Sequence, residues 1–133
     1  MLDNLHITKD WTLFLDRDGV INHEKKEDYI RNWSEFQFYS ESLKALPLLA
    51  QKFSRIIITT NQKGIGKGWM TDADLALIHD NMTNHIIELG GRIDAIFYCS
   101  DLDNESYNRK PQPGMAFQAK EQFPSIDFAK SIM

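Results

Sequence analysis

The run Arg55-Ile56-Ile57-Ile58-Thr59-Thr60 places three isoleucines and two threonines in succession with no polar alternation. A strand with one face in water alternates apolar and polar residues, so a strand without alternation has both faces covered. That condition holds in the middle of a parallel sheet with helices on each side, and parallel neighbours need crossover connections. The flanking sequence supplies them. Ser40 to Phe53 sets Leu43, Leu46, Leu49, Ala50 and Phe53 on one helical face, with Ser40 as N-cap. Pro47 is expected to kink that helix or delay its start. Thr71 caps a second helix whose apolar stripe is Leu75, Ile78, Met82, Ile86 and Leu89, and Gly90-Gly91 ends it. Trp11 to Leu15 and Asp94 to Cys99 read as further strands, and Met115 to Phe123 as a short helix between Pro113 and Pro124. Phe128 to Met133 reads as the start of a fourth strand. The alternation of strand and helix predicts an α/β fold, a Rossmann-like parallel sheet with flanking helices and right-handed crossovers. With 133 residues, 42% of them hydrophobic, one core and a single domain over residues 1–133 are expected.

Ligands of such sheets bind beyond the carboxyl ends of the strands. The first strand runs there into Asp16-Arg17-Asp18-Gly19. Two carboxylates so close repel, and holding both usually takes a cation and splits their pKa values. A plain solvated turn with Asp18-Gly19 as its corner is the bland alternative. Two more polar constellations follow at matching places, Thr60-Asn61-Gln62 after the isoleucine strand and Arg109-Lys110 after the polar loop Ser100 to Asn108. A carboxylate nucleophile, a second carboxylate, hydroxyl and amide donors and a fixed cation are what phosphoryl transfer through an aspartyl-phosphate requires. Lys110 and Mg2+ would neutralise the transferring oxygens, with Thr60 and Asn61 donating hydrogen bonds, and magnesium suits hard oxygen ligands.

Other features count against competing chemistries. The glycine-rich Lys63 to Gly68 spells neither a P-loop nor a dinucleotide fingerprint, and a flexible loop is expected there. His79 and His85 are not spaced as a ligand pair on one helix face, so solvated or capping roles are expected. The formal net charge of -4, without a basic run, argues against nucleic acid as partner. Met1 to Asp10 is polar and no segment approaches bilayer-spanning length, so no membrane partner and a soluble, cytoplasmic protein are expected. Cys99 is the one cysteine, which excludes an internal disulfide and a zinc site of several thiolates. His23 to Phe38 is an aperiodic excursion that Tyr29, Trp33, Phe36 and Phe38 would pack down.

Asp16-Arg17-Asp18-Gly19-Val20-Ile21-Asn22, Thr60-Asn61-Gln62 with Gly64, Gly66 and Gly68, and Arg109-Lys110-Pro111 with Pro113-Gly114-Met115 resemble the haloacid dehalogenase superfamily. More narrowly they resemble its group of histidinol-phosphate and D-glycero-D-manno-heptose 1,7-bisphosphate phosphatases, over nearly the whole chain and in the right order. The resemblance implies a phosphatase with a minimal cap or none, acting on a small phosphorylated metabolite. It implies that Asp16 attacks phosphorus, that Asp18 protonates the leaving oxygen and later activates water, and that the Asp16 side chain and Asp18 carbonyl bind Mg2+. Thr60 and Lys110 would hold the phosphoryl group, with Arg109 orienting substrate. Two departures stand out. The zinc loop of many members, rich in Cys and His, is here Cys99 to Asn108 with one Cys and no His, so no zinc is expected. No counterpart of the family's last acidic motif precedes Met133, so a domain truncated at its C-terminus is expected. A phosphoacceptor signalling domain and an inactive homologue that binds a phosphorylated metabolite are the alternatives. The former would carry its acceptor Asp at the end of the third strand, where this chain has Cys99.

Overall fold

The computed structural model describes residues 6–133, so the expectation for the polar N-terminus lies partly outside them. Four parallel strands form one sheet in the order β3-β2-β1-β4, where β1 is Thr12–Leu15, β2 Arg55–Asn61, β3 Ala95–Cys99 and β4 Ser131–Ile132. β2 lies inside the sheet between β1 and β3, and Ile56, Ile57 and Ile58 are fully buried there. Each contributes about 2 kcal/mol by leaving water. Helices α1 (Ser40–Lys52) and α3 (Asp72–Glu88) cover one face, with Leu46, Met82 and Ile86 against Ile58. Helix α4 (Gly114–Gln122) covers the other, with Ala119 against Phe14 and Ile57. Because side chains alternate along a strand, Ile56, Ile58 and Thr60 share the α1/α3 face of β2, and Ile57, Thr59 and Asn61 the α4 face.

The fold class is the one read from the pattern, and the departures are local. Residues 63–68 contain a helical turn, α2 (Lys63–Gly66), where a flexible loop was expected. At Gly66 glycine is required by contact, since a Cβ there would strike the Ser100 carbonyl, and a Cβ on Gly64 would sit tight against the Tyr29 ring at 3.2 Å. Tyr39, not Ser40, stands at the N-cap of α1, without a side-chain cap. The helix continues through Pro47, which falls late enough in it that the start is not delayed. Thr71 does cap α3, in a reciprocal pair with Asp74. Leu89 belongs to no buried stripe, because the helix ends at Glu88 and leaves Leu89 at the C-cap, 49% exposed. Phe128–Lys130 is a 3-10 turn, so β4 is only Ser131–Ile132 paired to Thr12 and Leu13. His85 stacks on Phe38, which joins Trp33 and Phe36 in pinning the excursion to the core. Among the described residues, no helix is long and apolar enough to cross a membrane.

Candidate active site

The chain runs β1, β2, β3 to one side of the sheet and returns with β4 to the other, so the strand order reverses at β1. A parallel sheet opens a crevice at such a point. Asp16 stands there, one residue beyond the Leu15↔Ile58 pair and beside Thr59. Its Oδ1 accepts the Arg17 backbone N–H at 2.8 Å and pairs with the Lys110 ammonium at 3.0 Å. The carboxylate is 43% exposed, and it lines two cavities. One, of about 510 Å³, is bounded by Thr59, Asn61, Lys110 and Met133; the other, of about 210 Å³, by Asp18, Glu24, Lys25 and Tyr29.

Asp18 is held from several sides. Its Oδ1 accepts from Arg17 Nη2 at 2.7 Å, Arg17 Nε at 3.1 Å and Asn22 Nδ2 at 2.9 Å. Its Oδ2 accepts from Gln62 Nε2 at 3.0 Å, and the same amide nitrogen donates to Thr60 Oγ1 at 3.0 Å. Gly19, at φ 85, makes the turn that lets its N–H reach the Asn22 carbonyl at 2.8 Å. Arg17 turns away from the cavities and is wholly buried, with Nη1 3.2 Å from His79 Nε2 on α3. The solvated role expected of His79 is therefore corrected, since its ring is 7% exposed. Burial first, and the Arg17 charge second, pull its pKa from the ordinary 6.5 down to about 4.

Lys110 owes its position to Asn61. The Asn61 amide donates to the Lys110 carbonyl at 3.2 Å and accepts the Lys110 N–H at 3.0 Å, a reciprocal clamp between β2 and the loop before α4. The amide expected to hydrogen-bond phosphate is thus engaged with backbone, although Asn61 still borders both cavities. Thr59 and Thr60 are each 1% exposed; strand alternation puts Thr60 on the α3 side of β2, and Thr59 borders the larger cavity. Arg109 is half-buried, and among the described residues its Nη1 has no partner. Neither Arg109 nor Thr60 borders the two cavities at Asp16.

No group of three or more His, Cys, Asp or Glu side chains converges as a metal cage among the described residues. Mg2+ does not need one, because it commonly takes one or two carboxylates and completes its shell with carbonyl, water and phosphate oxygens. Asp16 and Asp18, facing one cavity, fit that habit. Sequence reasoning did not place Thr59 on a cavity wall, gave Gln62 and Asn22 of the quoted motifs no role, and missed the buried Arg17–His79 contact. The parity of β2 could have signalled Thr59. Nothing local signals that His79, 62 positions from Arg17, meets it.

The chain matches the polynucleotide kinase 3 phosphatase family over residues 11–132. It is 35% identical over 124 residues to the D-glycero-alpha-D-manno-heptose-1,7-bisphosphate 7-phosphatase of Mycobacterium bovis, covering 92% of this chain and 65% of that one. It is 37% identical over 128 residues to the enzyme of the same name from Photorhabdus laumondii, covering 90% and 68%. The fold superposes with a TM-score of 0.78 and 33% identity on D,D-heptose 1.7-bisphosphate phosphatase from B. bronchiseptica complexed with magnesium and phosphate, covering 86% of this chain and 64% of that one. The chain therefore spans a little under two thirds of the length of the Mycobacterium relative. A match over nearly all of its residues, on a fold with this switch point, means that the chain belongs to the polynucleotide kinase 3 phosphatase family, among the haloacid dehalogenase-like phosphatases.

Proposed function

We propose that the chain provides the catalytic centre of a Mg2+-dependent phosphomonoesterase acting on a small phosphorylated sugar through an aspartyl-phosphate. The observation that carries this reading is the half-exposed Asp16 carboxylate, held by Lys110 at the switch point and sharing a cavity with Asp18. Asp16 attacks phosphorus, and the bond from phosphorus to the leaving oxygen breaks as the new one forms. Asp18 gives that oxygen its proton, then takes one from the water that hydrolyses the phosphoenzyme. Lys110 offsets charge on the phosphoryl oxygens, the Thr59 hydroxyl borders the same cavity, and Thr60 and Arg109 are the further donors that the family resemblance gives this role. Mg2+ would be held by the Asp16 side chain and the Asp18 carbonyl, and it supplies charge neutralisation when bound. Zinc has no part in this reading, since the Cys99 to Asn108 loop offers one thiolate.

The named relatives favour a heptose bisphosphate over the family's polynucleotide name, and the net charge of -4 favours the same choice. Phosphate release from the full protein tests it with sugar phosphates, sugar bisphosphates, histidinol phosphate and a 3′-phosphorylated oligonucleotide, with and without Mg2+. Mg2+-dependent release from a sugar bisphosphate, abolished in Asp16→Asn, is expected. Preference for the oligonucleotide would overturn the substrate assignment. Full activity in Asp16→Asn would overturn the mechanism, and no release from any substrate would favour a binding protein.

A further inference from the structure

We infer that His79 is a positioning residue for the acid/base carboxylate, acting through Arg17; this rests on the role proposed above for Asp18. Arg17 follows the nucleophile in sequence but points into the core, where its side chain is wholly buried. Two of its nitrogens, Nε and Nη2, converge on one oxygen, Asp18 Oδ1. A guanidinium has donors and no acceptor, so the 3.2 Å contact between Arg17 Nη1 and His79 Nε2 is a hydrogen bond only if that nitrogen offers its lone pair. His79 is therefore neutral, with its ring proton on Nδ1. An imidazolium in that place would set two buried cations against each other.

This arrangement fixes the direction of the guanidinium from behind. With Nη1 anchored on α3, the Nε–Nη2 edge is presented to Asp18 Oδ1, which Asn22 also grips at 2.9 Å. Oδ1 then carries three donors, while Oδ2 has Gln62 alone. A carboxyl oxygen crowded by three donors has no lone pair well placed for a fourth hydrogen, so proton transfer falls to Oδ2. Without the His79 lone pair, Nη1 would be a buried donor with no partner, and Arg17 would turn to satisfy it. Asp18 would turn with it, although His79 touches neither the cavity nor substrate.

Protonation of a leaving group matters for a poor one, such as a sugar alkoxide, and little for p-nitrophenolate. Values of kcat/KM for a sugar phosphate and for p-nitrophenyl phosphate, measured on the full protein, separate positioning of the acid from general damage. His79→Leu is expected to lower the sugar phosphate value about tenfold or more and the aryl value far less, while His79→Gln, whose side-chain carbonyl can accept from Arg17, recovers most of the loss. An equal fall on both substrates, no fall, or a Gln variant no better than Leu would overturn the inference. Asp18→Asn is the control. If it shows no selectivity for the poor leaving group, the acid assignment itself fails and this inference with it. If it is selective and His79→Leu is not, only the inference fails. Should His79→Leu not fold, nitrogen NMR of the unmodified protein decides: a neutral ring protonated at Nδ1 supports the inference, and an imidazolium or an Nε2–H tautomer overturns it.

Discussion

Among single residues, Asn61 and His79 do the least visible work. Asn61 ties the loop that carries Lys110 to the end of β2 by two hydrogen bonds, and with them sets the distance from ammonium to Asp16. Asn61→Ala removes both and is expected to lower stability by about 1–2 kcal/mol, read as a shift in urea midpoint, and to lower kcat/KM. Asp at this position would keep the acceptor for the Lys110 N–H yet face the Lys110 carbonyl with a second oxygen, so it should rescue poorly. His79 makes stability depend on pH. Its folded pKa of about 4 lies below the ordinary 6.5, so the unfolded chain binds the extra proton between those values. The stabilisation is whole above pH 6.5 and drains away as pH falls towards 4, by about 3 kcal/mol in all. Chemical denaturation of the wild type at pH 7 and pH 5 should show the loss, and His79→Gln should show less of it.

At the scale of elements, α2 is a four-residue turn wedged between the excursion and the loop after β3. Its two inward glycines are matched to those neighbours, Gly64 to the Tyr29 ring and Gly66 to the Ser100 backbone. Gly66→Ala must push α2 away from a carbonyl that cannot retreat like a side chain, and a loss of about 1–3 kcal/mol is expected, visible as a lower melting temperature. The same turn shows why some of the fold was legible in the sequence and some was not. The isoleucine run, the Thr71 cap and the stripe of Leu75, Ile78, Met82 and Ile86 are local patterns whose meaning does not depend on distant residues. Lys63 to Gly68 reads as a loop because glycine is intrinsically permissive, whereas here it is chosen by contacts with Tyr29 and Ser100, far away in the chain. For the site the division is similar. Strand ends and sheet order bring Asp16, Asp18 and Lys110 together, and those were readable. Which face of β2 meets the cavity turns on one residue of register, and that separates Thr59 from Thr60.

Over the whole molecule, the two flanks of β1 are unequal. Towards β2 it is paired through all four residues; towards β4 it is paired only at Thr12 and Leu13, and the larger cavity, bordered by Met133, lies beyond. Local opening follows the least-supported edge. Native-state hydrogen exchange is therefore expected to be slowest for the β2 amides and fastest, among strands, for Ser131 and Ile132, and uniform protection of all four strands would contradict this. Asp16 sits at the seam between these regimes. The carboxylate, its lysine and the asparagine behind it hang from the fully paired side of β1. The distance from Asp16 to Lys110 is thus expected to persist through local opening elsewhere in the sheet, a separation of timescales within a single sheet.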